Sequence, residues 1–104
     1  MTGSELQALF AEQVEIALEE LARASGFSAD EIVELVELGL FEPIGAAPAQ
    51  WRFSAHHVSI ARRAARLRAD FDLNLPGVML AATYLARIEE LEHELHVLRC
   101  QLLG

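Results

Sequence analysis

Between Ser28 and Gly39 the chain carries a full set of helix start and stop signals. Ser28 and Glu31 have the S-x-x-E spacing of a capping box, in which each side chain satisfies the other residue's backbone N–H. Ile32, Leu35 and Val36 follow at helical spacing, and Gly39 stands where a left-handed residue ends a helix. A helix is predicted over about 29–38. Upstream, Leu18–Ser25 reads as another short helix. Ala22, Gly26 and Ile32 then occupy the small, turn and core positions of a helix-turn-helix, with Gly26 and Phe27 as the turn.

The first seventeen residues allow two readings. Leu6, Leu9, Phe10 and Val14 fit a helix, while Val14, Ile16 and Leu18 alternate as in a strand. After Gly39, Leu40-Phe41-Glu42-Pro43, a small-residue stretch from Gly45 to Gln50, and Trp51-Arg52-Phe53 read as strand, loop and strand, which is a wing. Ser54 can cap a third helix reaching about Ala69. Ile60, Ala64, Leu67 and Phe71 line one face of it, and Arg62, Arg63 and Arg66 fall largely on the other. Asn74 and Pro76 open a last helix, Pro76 in a first-turn position where no backbone donor is needed.

Within that helix Ile88, Leu91, Leu95, Leu98 and Leu102 alternate by three and four, an a/d seam extended weakly upstream by Tyr84 and Ala81. So short a seam is marginal as an isolated coiled coil. It is expected to pack on the domain's own helices, on a second copy or on both, with a homodimer through the C-terminal helix favoured. The predicted fold is mostly α: a winged helix-turn-helix with a small β wing and a long C-terminal helix. One domain is expected over residues 1–104. About 14–72 form the helix-turn-helix, wing and third helix, and about 74–104 form the C-terminal helical segment.

Composition narrows the function classes. With 53% apolar and 23% charged residues the chain has the balance of a folded protein rather than a disordered one. Its net charge is −8, and all eight of its positive charges are arginines, so its field repels nucleic acid and attracts basic partners. Residues 1–50 hold ten acids and Arg23 alone, whereas residues 51–75 hold five arginines and two aspartates. Cys100 stands alone and can form no intramolecular disulfide. Glu5 and Glu12 replace a basic leader region, and the longest apolar run, Val78 to Ala82, is far short of a bilayer span. A soluble, cytoplasmic protein without membrane contact is expected.

The second helix of a DNA-reading helix-turn-helix needs basic or amide side chains on its outward face. Here Asp30, Glu34 and Glu37 lie at i, i+4 and i+7, with Val33 between them and Glu31 beside them in the cap. Carboxylates laid on phosphates reverse the term that dominates affinity, which argues against direct DNA binding. The same stripe suits a basic helix, with charge-assisted bonds at a rim and apolar contact at the centre. It also suits an ordinary solvated face. Trp51 is a candidate interface anchor, though a lone tryptophan more often packs a wing or core. Arg62, Arg63, Arg66 and Arg68 either hold phosphates, in an alternative DNA-binding reading, or pair with acids of neighbouring helices.

His93, His96 and Cys100 share one side of the last helix, at f, b and f positions of the seam, but supply only three ligands where a closed zinc site takes four. His56 and His57, adjacent in sequence, point in different directions. The chain has no Gly-rich phosphate loop, no G-x-S-x-G elbow and no H-E-x-x-H. Neither an enzyme nor a metal or other cofactor is expected.

Several stretches together resemble the CbpM family of chaperone modulators, which has a MerR-like winged-helix fold. They are Glu20-Leu21, Gly26-Phe27-Ser28, Glu31-Ile32-Val33, Leu38-Gly39-Leu40-Phe41-Glu42-Pro43, Trp51-Arg52-Phe53, Arg63-Ala64-Ala65-Arg66-Leu67-Arg68 and Leu73-Asn74-Leu75-Pro76-Gly77-Val78. The resemblance spans roughly residues 16–103. It implies a small partner of CbpA, a DnaJ-like co-chaperone, that binds the J-domain and blocks its stimulation of the Hsp70 DnaK. It also implies reduced DNA binding by that co-chaperone. J-domains present a basic helix to Hsp70, so the stripe of Asp30, Glu31, Val33, Glu34 and Glu37 becomes the expected contact, with Glu15, Glu19 and Glu20 nearby. The alternative is a MerR-like DNA-binding transcriptional regulator that uses its wing and the Arg62 to Arg68 cluster.

Overall fold

The computed structural model describes residues 15–103. In chain order it contains β1 (Glu15–Ile16), α1 (Leu18–Ser25), α2 (Ala29–Leu38), a 3-10 turn (Pro48–Gln50), β2 (Phe53–Ser54), α3 (Ala55–Phe71) and α4 (Leu75–Leu103). The helical reading of Leu6, Leu9, Phe10 and Val14 lies outside the described residues.

Each helix begins and ends for a local reason. Gly26 closes α1 at φ 93° and donates its N–H to the Ala22 carbonyl. The expected capping box opens α2: Glu31 N–H donates to Ser28 Oγ at 3.1 Å and Ser28 N–H to Glu31 Oε1 at 2.9 Å. Gly39, at φ 99°, ends it. Ser54 caps α3 in the same way, with an imidazole replacing the glutamate: Ser54 N–H donates to His57 Nδ1 at 3.1 Å, and His57 N–H to Ser54 Oγ at 3.3 Å. Asn74 Oδ1 accepts from Gly77 N–H at 2.8 Å at the start of α4, with Pro76 in the first turn as expected.

The wing departs from the sequence reading. Leu40 to Pro43 form no strand, because Leu40 N–H is taken by the Leu35 carbonyl as α2 closes and Pro43 has no N–H to donate. Ile44 and Arg52 instead form one isolated bridge, exchanging hydrogen bonds of 3.1 and 2.8 Å. Gly45 makes that closure possible: at φ 126° a Cβ there would stand 2.6 Å from the Gln50 carbonyl oxygen. The strand that follows pairs with β1, not with the other arm of the wing; Glu15 faces Ser54 and Ile16 faces Phe53, antiparallel.

Leu18 and Leu21 of α1, Ile32 and Leu35 of α2, Phe27, Phe41, Phe53, Ala61 and Ala64 of α3, and Val78 of α4 form the core. Ala61 and Ala64 are fully buried, and their small side chains let α1 and α4 lie close against α3. Phe41, Phe53 and His57 meet edge to face at centroid distances of 5.7 to 6.1 Å. Phe71, which the periodicity puts on the inward face of α3, is 67% exposed, since α3 reaches Phe71 rather than Ala69 and outruns the core. From Ala86 onward every described residue of α4 is exposed. The helix therefore projects as a rod, and the molecule measures 50 × 35 × 22 Å.

Candidate functional site

The helix-turn-helix geometry turns Ile32 and Leu35 into the core and leaves the opposite side of α2 to solvent, where Asp30, Glu34 and Glu37 are all exposed. None of these three carboxylates has an ion-pair partner among the described residues. Glu31 differs. Besides closing the capping box it pairs with Arg68 of α3 and is half-buried. The Ser28 backbone N–H holds its carboxyl below the ordinary carboxylate range, with the Arg68 charge adding to this against a partial cost of burial. Glu31 thus serves the fold with the charge that the sequence reading assigned to the outward stripe. Val33 is also half-buried and packs against the core, so it is not the exposed apolar centre expected of it.

Trp51 is half-buried and sits edge-on to Phe53 at 6.2 Å, a packing position at the base of the wing. The four arginines of α3 do not form one basic face. Arg63 pairs with Glu89 of α4, and Arg68 pairs with Glu31 while its guanidinium lies 4.4 Å from the Phe27 ring centroid. Arg62 Nε donates to the Ala24 carbonyl at 3.0 Å, satisfying an otherwise open acceptor at the end of α1. Two of the four charges are therefore neutralised between helices, as expected of the simpler reading.

The other candidates assemble little chemistry. His96 Nε2 lies 3.6 Å from Cys100 Sγ and His93 does not join them. Among the described residues no group of three metal-ligating side chains occurs. An open groove of about 400 Å³ between α3 and α4 is lined by Leu40, Ile60, Met79 and Ala82. Its rim charges are already paired, Arg63 with Glu89 and Arg87 with Glu90. Among the described residues no helix is long and apolar enough to cross a membrane.

On α4 the seam side chains Tyr84, Ile88, Leu91, Leu95, Leu98 and Leu102 are 46 to 86% exposed. Sequence reasoning found this row by its spacing. It missed the exposure of Phe71, for which the signal was the Asp72-Leu73-Asn74 turn that follows directly and carries the chain away from the core.

A capped helix-turn-helix, a minimal wing and a long terminal helix define the class of MerR helix-turn-helix domains, and residues 16–100 match the model of the MerR HTH family regulatory proteins. Curated relatives narrow the class. The chaperone modulatory protein CbpM of Pseudomonas putida (strain W619) is 35% identical over 89 residues, covering 86% of this chain and 88% of that protein. Its counterpart from Coxiella burnetii (strain Dugway 5J108-111) is 35% identical over 83 residues, 80% of this chain and 78% of that protein. The CbpM of Escherichia coli O1:K1 / APEC is 34% identical over 89 residues, with 86% and 88% covered. This chain belongs to the CbpM family of chaperone modulatory proteins, whose members are modulators and not enzymes.

Proposed function

We propose that this protein binds the J-domain of a CbpA/DnaJ-like co-chaperone in the cytoplasm and inhibits that co-chaperone's stimulation of the Hsp70 DnaK. The observation that carries the reading is the outward face of α2, where Asp30, Glu34 and Glu37 offer carboxylates with no ion-pair partner among the described residues. A basic helix laid on this face gains charge-assisted hydrogen bonds that DNA cannot, because phosphates would meet carboxylates. Inhibition then needs no chemistry: the modulator and Hsp70 compete for one basic surface. Glu31 and Val33 support the contact from within, by fixing the start of α2 and its packing, while Trp51 packs on Phe53 at the base of the wing. The protein acts as a homodimer through the α4 seam.

Calorimetric titration of the J-domain at low and at raised salt tests the reading. Binding weakened by salt is expected, since the pairs lie at an exposed rim. Glu34→Lys with Glu37→Lys should weaken it by about tenfold or more, because each reversal replaces an attraction with a repulsion. No binding by the unaltered protein at either salt concentration would overturn the proposal.

A further inference from the structure

Phe71 ends α3 with 67% of its surface exposed. It shares a helical row with buried Ala64 and half-buried Leu67, so its direction is that of a core residue while its position lies past the core. The chain turns away immediately afterwards, at Asp72, which adopts the left-handed conformation at φ 52°. Its neighbours are acidic. Asp70 and Asp72 flank it, both exposed and neither in an ion pair among the described residues. One turn back, Arg68 is bonded to Glu31, which sets Phe71 at the end of α3 that adjoins the first turn of α2, where Asp30 is exposed.

We propose that Phe71 is an apolar anchor of the partner surface, seated against an apolar side chain of the basic J-domain helix while Asp70, Asp72 and the α2 carboxylates meet its charges. This rests on the J-domain reading and extends the site beyond α2. An aromatic side chain inside a charged rim is the arrangement of an interface hot spot, where one large side chain carries much of the affinity and its surroundings exclude water. Charge complementarity selects the occupant: a second copy of this chain, at net −8, would bring acids toward Asp70 and Asp72. The α4 seam is also set apart, since its first residue, Tyr84, lies about 14 Å along the helix from Leu75.

The test is titration of the same J-domain into the unaltered protein, Phe71→Ala and Phe71→Leu, each checked by thermal unfolding and sedimentation. Phe71→Ala is expected to bind about tenfold or more weakly with the salt dependence retained, and Phe71→Leu to keep most of the affinity. Unfolding midpoints should stay at the unaltered value, because the ring is exposed. Equal affinity for Phe71→Ala would overturn the anchor and leave the J-domain reading standing. Failure of the unaltered protein to bind would overturn both. An altered sedimentation coefficient with unaltered affinity would assign Phe71 to a contact between copies and overturn the anchor.

Discussion

His57 links three local structures through one ring. Its Nδ1 accepts the Ser54 N–H that opens α3, and its ring meets Phe41 and Phe53 edge to face. Burial lowers its pKa below the ordinary 6.5, and the neighbouring His56 charge lowers it further. A protonated Nδ1 could not accept the Ser54 bond, so the fold also requires the neutral ring. The folded state therefore resists a proton that the unfolded chain accepts. Stability from this group is fully present above pH 6.5 and is lost as pH falls toward the lowered folded value, because the unfolded state binds the proton first. Urea unfolding between pH 7.5 and 5.5 should show this decline. In His57→Gln, which can still complete the capping box, the decline should shrink. An unchanged pH dependence in that variant would move the effect to another group. Glu31 acts in a separate, lower window. Its depressed pKa contributes stability that is present above its ordinary 4.5 and is lost as pH falls through the folded value.

At the scale of elements, α2 was legible because its determinants are local. Ser28, Glu31 and Gly39 satisfy the helix ends from within a dozen residues, and Ile32 and Leu35 record the buried side. Ser28→Ala removes the acceptor for Glu31 N–H and should cost about 1 kcal/mol, measured by denaturant unfolding. Affinity for the J-domain should change less than with Glu34→Lys and Glu37→Lys, because Ser28 shapes the helix start without offering charge. The wing was legible as a wing, but its strand pairing was not, for the opposite reason. Phe53 and Ser54 pair with Ile16 and Glu15, and a choice of partner so far back in the chain leaves no trace in local alternation. The site was half legible. Periodicity identified the outward acids, but not that Arg68 of α3 engages Glu31, since that pair joins residues far apart in the chain, and the exposure of Phe71 was signalled only by the turn that follows it.

At the scale of the whole molecule, the projecting part of α4 is where the proposed homodimer would form. Helices are marginal in water without tertiary packing, yet from Ala86 to Leu103 every described residue of α4 is exposed even with the Arg63–Glu89 pair in place, Ile88, Leu91, Leu95 and Leu98 at 46 to 55%. Covering the remaining half of each such side chain is worth roughly 1 kcal/mol, which favours pairing two seams over leaving each wet. Self-complementary pairing of one seam with its copy closes a two-fold dimer and leaves no open end for further assembly. Leu91→Asp with Leu95→Asp should place two charges at the centre of that contact. The expected result is a monomer by sedimentation at micromolar concentration, with reduced helical circular dichroism from the freed end of α4. If the unaltered protein is itself monomeric there, the seam has another occupant and the dimer is wrong. Because neither substitution touches α2 or Phe71, the monomeric variant should retain its affinity for the J-domain at one site per chain. A parallel loss of binding would instead mean that the partner surface is completed across the dimer.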